Sequence, residues 1–259
     1  MWWQLKQWKK PISSSSMPKH TFIRPFINRL QAYSAGFLHL FYPHICMHCG
    51  SEELQAENIL CIACEKNLPY THFFSIEKNT IEKIFWGRVP LHEAGASLFF
   101  TKDSIVQSLV FALKYKNQKK AGRLLGNIIG RDMLHSQRFK NIDCMIPIPL
   151  SKKKQRARGY NQALVICEGI QEKLPHIQIL PLLLKHKNVV SQTSKGRIQR
   201  TQLSPQSYAI IDRSQIAEKN VLVVDDVITT GATIESFCKY ILNEARPHSI
   251  SVVAAAYTI

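Results

Sequence analysis

The spacing of apolar residues changes along the chain. Between about Asn28 and Tyr42 apolar side chains recur every three or four residues, which predicts a short amphipathic helix. After about residue 88, short apolar runs alternate with segments of helical periodicity. That alternation is typical of an α/β fold, in which helices cover a mostly parallel sheet.

The clearest strand prediction lies near the C-terminal end. Val221 to Val224 form an uninterrupted apolar run, as expected of a strand that is buried on both faces of a parallel sheet. The run ends at two adjacent carboxylates, Asp225 and Asp226, and a helix is predicted to start near Thr233. The loop before and into that helix carries hydroxyls and a glycine, in the order Thr229, Thr230, Gly231, Ala232 and Thr233.

This order of residues predicts a sugar-phosphate site. Ligands of parallel sheets bind at the carboxyl ends of the strands. The loop can wrap a phosphate with backbone amides and hydroxyls at the positive end of the helix dipole, and Gly231 permits close approach of the backbone. Asp225 and Asp226 can accept hydrogen bonds from the vicinal hydroxyls of a ribose. Such a pair is costly at a dry strand end unless a ligand or metal satisfies it.

A second strand-like segment, Ile142 to Pro149, ends in a turn that two prolines should stiffen. The basic block 152–158 follows at once and can face a diphosphate or a nucleic-acid backbone. Two arginines and an asparagine here, Arg156, Arg158 and Asn161, are candidate ligand groups. Solvation and capping of the helix start are the alternative explanation.

Two pairs of cysteines predict a metal centre. Cys46-Met-His-Cys49 is followed by Cys61-Ile-Ala-Cys64, and four thiolates at this spacing can close a tetrahedron around one zinc ion. All four predicted ligands are sulfur, so the ion should be structural. We expect His48 to be exposed, and three further cysteines to be buried thiols: Cys144, Cys167 and Cys238.

Positive charge is concentrated in blocks. The chain has 34 Lys and Arg against 18 Asp and Glu, a formal net charge of +16. Of the 34, 21 lie in four windows that lack acidic residues: 1–30, 114–124, 152–158 and 185–200. Such blocks favour the binding of polyanions such as nucleic acid. A solvated protein surface without a polyanion partner is the alternative explanation. Lys114 and Lys116 flank an aromatic residue, as at a single-strand binding surface, and helix-end solubility explains them equally well.

The N-terminal segment predicts no membrane or export element. Residues 1–29 are basic, contain tryptophans and serines, and are predicted to be a flexible tail. They lack the apolar stretch of a secretory signal, and no apolar run approaches 18 residues. These features predict a cytoplasmic protein.

The longest motif, Val223-Val-Asp-Asp-Val-Ile-Thr-Thr-Gly-Ala-Thr233, resembles the phosphoribosyl-diphosphate signature of type I phosphoribosyltransferases. Four further segments resemble the ComF family: Leu113-Lys-Tyr-Lys116, Gly122-Arg-Leu-Leu-Gly126, Ile146-Pro-Ile-Pro-Leu-Ser151 and Arg156-Ala-Arg-Gly-Tyr-Asn-Gln-Ala163. The resemblance covers about residues 30–259. It implies a helix and four-cysteine zinc ribbon over 30–75, and a Rossmann-like phosphoribosyltransferase domain over 88–259.

The resemblance also implies ligands and partners. The turn Pro149, Leu150, Ser151 and Lys152 corresponds to the diphosphate loop, with Mg²⁺ accompanying the diphosphate. The family is associated with DNA uptake on the cytoplasmic side, which implies single-stranded DNA and a DNA-uptake helicase as partners. The segment Val190 to Arg200 resembles the family's flexible loop and contributes Arg197 and Arg200 as basic candidates. Thr201 stands directly after Arg200, so the usual Arg-x-x-Asn ending of that loop is absent.

Three functions are compatible with these features. The protein is an accessory factor of DNA uptake that binds a ribose phosphate and single-stranded DNA, an active phosphoribosyltransferase of nucleotide salvage, or a partner-docking scaffold with a vestigial pocket. The basic blocks favour the first, since a salvage enzyme has no need for a net charge of +16. The sequence identifies no catalytic nucleophile.

Overall fold

The computed structural model describes residues 44–55, 58–180 and 212–259. Ile45–Ile259 form one compact unit. The predicted helix between Asn28 and Tyr42, the tail 1–29 and the loop between Val190 and Arg200 lie outside the described residues. The division into the ranges 30–75 and 88–259 therefore stays a prediction.

The core of this unit is a parallel sheet, as the sequence predicts, and it has five strands in the described part of the chain. Its spatial order is β1-β5-β4-β2-β3, and every neighbouring pair is parallel. The strands are β1 Ala94–Phe100, β2 Cys144–Pro147, β3 Gln178–Ile179, β4 Asn220–Ile228 and β5 Ser249–Thr258.

Seven helices accompany the strands in the described part of the chain: α1 Ile62–Lys66, α2 Thr80–Phe85, α3 Ile105–Tyr115, α4 Lys119–His135, α5 Lys152–Arg158, α6 Gln162–Lys173 and α7 Ala232–Ala245. One face of the sheet packs with α3, α4 and α6, and the other with α2 and α7. Alternate residues of β4 enter the two layers: Leu222 and Val224 face the first, and Val221 and Val223 the second. The predicted buried run is thus buried because helices cover both faces.

Strand β4 is longer than the sequence predicts. The apolar run was expected to end at the acid pair, but the ladder with β5 continues, with Asp225 opposite Ala254 and Val227 opposite Ala256. The extension is favourable because Ile228 is a buried apolar residue that continues the strand beyond the carboxylates. The acid pair therefore stands on rigid strand backbone.

Helices α4 and α6 approach each other closely at two glycines. A β-carbon added at Gly126 would lie 2.1 Å from the carbonyl oxygen of Ile166, and one at Gly169 would lie 2.3 Å from the carbonyl oxygen of Arg123. Both distances are far below contact distance, so only glycine permits this spacing. The two glycines thus fix the position of α6 against α4, and Asn161 at the start of α6 contacts the turn after β2.

We expect Gly126→Ala to destabilise the fold by about 2–3 kcal/mol, because the added methyl group meets backbone that cannot rotate away. Gly122→Ala, one helical turn earlier, is the matched control. Its β-carbon would meet Leu113 Cδ1 at 2.7 Å and Val165 Cγ1 at 2.8 Å, which are side-chain atoms and not backbone, so a smaller loss is expected. Urea unfolding of both variants measures the difference, and equal midpoints would contradict this account of the glycine contact.

Candidate functional site

The acid pair lies near the carboxyl end of β4, before Val227 and Ile228, and has a lysine partner. The backbone amide of Asp226 donates to Oδ1 of Asp225 at 2.8 Å. Lys114 Nζ, from the last turn of α3, lies 2.9 Å from Oδ1 of Asp226. The two side chains are only 19% and 12% exposed. The sequence suggested that a ligand or metal must satisfy the pair, but the fold itself supplies a cation from a distant segment of the chain.

Asp225 is the more unusual carboxyl. Burial of the group and the neighbouring charge of Asp226 raise the pKa of Asp225 to about 7. The positive charges of Lys114 and Lys154 act in the opposite direction and lower it. Since Lys154 belongs to α5, the basic helix after β2 lies near the acid pair. The Asp225 carboxyl is therefore protonated at a higher pH than an ordinary aspartate.

The hydroxyl-rich loop follows β4 directly. Thr229, Thr230, Ala232 and Thr233 are exposed, as a ligand-binding loop requires. Gly231 is buried, adopts φ +73° and caps the start of α7. The predicted helix start is thus found within one residue. The loop and the first turn of α7 are placed to offer amides and hydroxyls to an anion.

Helix α2 and the residues after it support this loop from behind. Arg88 Nη1 donates to the carbonyl oxygen of Thr230 at 3.0 Å, and Arg88 Nε donates to Glu235 of α7 at 2.8 Å. A β-carbon on Gly231 would lie 2.8 Å from the ring of Phe85. Sequence reasoning missed Arg88 and Phe85, because they are far from the loop in the chain and carry no local motif.

The turn after β2 lies at the same edge of the sheet. The backbone amide of Ile148 donates to the carbonyl oxygen of Val224 at 2.9 Å, directly before the acid pair. Pro149, Leu150 and Ser151 follow, and Lys152 begins α5. The amide of Lys154 donates to the Ser151 hydroxyl, which caps α5. The structure thus places the predicted diphosphate turn at the sheet edge that carries the acid pair.

The remaining polar candidates are distributed between structural and exposed positions. Asn161 donates from Nδ2 to the carbonyl oxygen of Ile148 at 3.0 Å and caps α6, as the capping alternative predicted. Arg156 is exposed on α5, and Arg158 donates to Gln162 at 2.9 Å. Lys116 lies beyond the end of α3, near the ring of Phe111. Arg197 and Arg200 lie outside the described residues.

The four predicted metal ligands converge. The sulfur atoms of Cys46, Cys49, Cys61 and Cys64 all lie within 4.8 Å of one another, and those of Cys49 and Cys61 are 3.6 Å apart. A tetrahedral zinc ion with sulfur at about 2.3 Å requires sulfur–sulfur separations of about 3.8 Å. The cluster therefore fits a metal such as zinc. The other three cysteines are buried singly, as predicted.

Backbone geometry explains how the two knuckles hold the sulfurs. Gly50 adopts φ +74°, and its amide donates to the carbonyl oxygen of Cys46 at 3.0 Å. The amide of Cys61 points at the sulfur of Cys46 at 3.4 Å, as in a metal–thiolate knuckle. His48 is exposed, as predicted, and its Nδ1 lies 3.0 Å from the Ser108 hydroxyl of α3.

The cysteine segment packs into the sheet's first helical layer. The buried members of that layer include Cys46, Cys61 and Cys64 together with Leu109 and Leu113 of α3. The four-cysteine cluster thus belongs to the same hydrophobic layer as the helix whose last turn carries Lys114. No helix among the described residues is long and apolar enough to cross a membrane.

Comparison with known proteins agrees with this geometry. A family model described as phosphoribosyl transferase domain matches residues 178–258, which include β4, the acid pair and the hydroxyl-rich loop. The chain is 24% identical over 208 residues to competence protein F of Haemophilus influenzae, a match that covers 77% of this chain and 91% of that protein.

Two other relatives match shorter stretches. The chain is 32% identical over 109 residues to competence protein ComFC of Bacillus subtilis, which covers 41% of each protein. It is 22% identical over 138 residues to DNA utilization protein YhgH of Escherichia coli O157:H7, which covers 52% of this chain and 60% of that protein.

Proposed function

We propose that this member of the ComF and YhgH family of competence proteins, which carries a phosphoribosyltransferase domain, is a cytoplasmic accessory protein of DNA uptake. In this proposal it binds a ribose phosphate and single-stranded DNA. One observation supports the binding of a ribose phosphate. The acid pair lies near the carboxyl end of β4, shortly before the loop Thr229 to Thr233, whose residues other than Gly231 are exposed, and the turn after β2 lies at the same edge of the sheet. Phosphoribosyl diphosphate has the matching groups in the matching order.

Each part of the ligand has a partner in this proposal. The 5-phosphate binds the loop amides and hydroxyls at the start of α7, and the two ribose hydroxyls donate to Asp225 and Asp226. The diphosphate lies against the turn Pro149 to Lys152, near the charge of Lys154. Mg²⁺ binds diphosphate oxygens and would accompany the ligand. Lys114 forms an ion pair with Asp226 and so fixes the position of that carboxylate.

The part played by DNA rests on charge and on relatives. A net charge of +16 favours a polyanion partner, and relatives of this chain are named for competence and DNA utilization. A DNA-uptake helicase is a further partner in this proposal. In this proposal the protein binds the incoming strand after it has entered the cell.

Calorimetric titration with phosphoribosyl diphosphate and Mg²⁺ tests the pocket, and its pH dependence tests the role of Asp225. We expect micromolar affinity at pH 8 that weakens about tenfold at pH 6, because the acid with a pKa of about 7 becomes protonated and loses its acceptor strength. Protonation rises as the pH falls, so affinity must fall in the same direction.

Inorganic diphosphate is the control for the ligand's own ionisation. Its affinity reports the protonation of phosphate oxygens and the net charge of the site, without any contact to ribose hydroxyls. The decrease expected for phosphoribosyl diphosphate must therefore exceed any decrease that diphosphate shows. Absence of binding at pH 8 would contradict the pocket assignment, and a pH response equal to that of diphosphate would contradict the role of Asp225. Release of diphosphate in the presence of nucleobases would instead identify an active phosphoribosyltransferase.

A further inference from the structure

Two aromatic rings stand side by side on the outer surface of α3. Phe111 and Tyr115 are one helical turn apart, and their ring centroids are separated by 5.0 Å. Phe111 is 49% exposed and Tyr115 is 65% exposed. A monomeric protein gains stability by burying such rings, so an adjacent exposed pair marks a surface that meets a ligand.

Cations from two separate segments lie over these rings. Lys116 Nζ is 5.7 Å from the centroid of Phe111, and the guanidinium carbon of Arg158 is 5.7 Å from the centroid of Tyr115. Nearby, Lys119 Nζ is 5.4 Å from the centroid of Tyr160. The segments that supply these side chains, 104–131 and 144–167, contain no Asp or Glu. The surface therefore combines exposed aromatic faces with positive charge.

We propose that Phe111, Tyr115, Lys116 and Arg158 form a stacking platform for the unpaired bases of a single-stranded nucleic acid. Bases of an unpaired strand stack on the two rings, and its phosphates contact Lys116, Arg158 and the neighbouring Lys119. This deepens the proposed function, on which it rests, by locating the DNA-binding surface.

The chemistry of the platform selects against other occupants. Bases in a duplex are stacked on each other and offer no free face to a protein ring, so double-stranded DNA would gain only the phosphate contacts. An apolar protein partner would leave the flanking cations without counter-charges, which is costly at an interface. An unpaired strand satisfies both the rings and the cations.

The platform also lies beside the pocket in the fold. Lys114, which pairs with Asp226, directly precedes Tyr115, so one helix end contacts the acid pair and carries the platform. The Tyr160 hydroxyl donates to the carbonyl oxygen of Leu113 and so ties the segment after α5 to the same helix end. The two sites use different side chains, so each can be removed alone.

Fluorescence anisotropy with a labelled 20-nucleotide thymidine strand tests the platform. We expect the double variant Phe111→Leu with Tyr115→Leu to bind this strand about 30- to 100-fold more weakly, since each stacked base is worth about 1–3 kcal/mol. Leucine retains an apolar surface and removes only the aromatic faces. The exchange Phe111→Tyr with Tyr115→Phe retains both rings and should bind within twofold of the wild type.

Three controls make the result specific. Leu134→Ser changes another exposed apolar residue, on α4, and should leave strand affinity unchanged. A duplex of the same length should bind the wild type and the leucine variant equally. Phosphoribosyl diphosphate should bind the leucine variant normally, which also shows that the variant is folded.

The outcomes separate this inference from the proposed function. An unchanged strand affinity in the leucine variant, or an equal loss for duplex and single strand, would overturn the platform while the pocket assignment stands. Absence of strand binding by the wild type would remove both the platform and the DNA part of the proposed function. If the wild type binds the strand but does not bind phosphoribosyl diphosphate, the pocket assignment is overturned and the platform stands.

Discussion

The double substitution Asp225→Asn with Asp226→Asn should weaken binding of phosphoribosyl diphosphate at least about 100-fold, because two charge-assisted hydrogen bonds from the ribose hydroxyls are lost and each is worth about 1.5–3 kcal/mol. Asparagine preserves the size of each side chain on β4. Calorimetric titration at pH 8, where Asp225 is ionised, measures the change.

The same substitution separates hydrogen bonding from general electrostatics. Removing two negative charges reduces the repulsion of any anion, so inorganic diphosphate should bind the variant as well as the wild type or better. A ribose ligand loses affinity only if its hydroxyls contact the pair. Normal binding of phosphoribosyl diphosphate by the double variant would contradict the assignment of the acid pair.

The surroundings of Asp225 and Asp226 also predict how each substitution affects the stability of the fold. Burial raises the pKa of Asp225, so its charged form is unfavourable in the fold and a neutral asparagine at that position should cost little. Asp226 is different, since its loss leaves the mostly buried Lys114 without its 2.9 Å partner. Thermal unfolding of the single variants should therefore show the larger decrease for Asp226→Asn.

The parts of the site that are contiguous in sequence could be predicted from it. The run of apolar residues, the acid pair, the glycine and the hydroxyls predict a strand, an exposed loop and a helix start within about a dozen positions, because each of these depends on local backbone. The cysteine pairs are predictable for the same reason, since a metal fixes their spacing.

The supporting contacts could not be predicted, because they join distant segments. Lys114 reaches Asp226 only because α3 lies on the face of the sheet toward which Leu222 and Val224 point. Arg88 reaches the carbonyl oxygen of Thr230 only because α2 packs against the loop. Tyr115 stood out through its flanking lysines, whereas Phe111 resembled any other apolar residue of a helix. The exposure of Phe111 depends on which face of α3 the sheet covers, and the sequence does not specify that face.

The layer that holds α3 also contains the cysteine cluster, which gives the second large expected effect. Removal of the metal by a chelator, or Cys64→Ser, should lower the thermal midpoint by about 10 °C or more, since structural zinc contributes several kcal/mol and about 1 kcal/mol moves the midpoint of a domain of this size by about 2–4 °C. Without an ion, four sulfur atoms within 4.8 Å retain only weak hydrogen bonds.

The effect should extend to the ligand sites through α3. Cys46 and Cys64 pack in one layer with Leu109 and Leu113, so loosening the cluster releases the helix that positions Lys114. Affinity for the thymidine strand should fall together with the midpoint. Cys144→Ser, a buried cysteine outside the cluster, should keep one zinc per chain and lose stability without becoming sensitive to the chelator. Two results would contradict the role of the cluster as the metal centre that holds α3 in place. One is elemental analysis that finds no zinc in the wild type, and the other is a thermal midpoint that the chelator leaves unchanged.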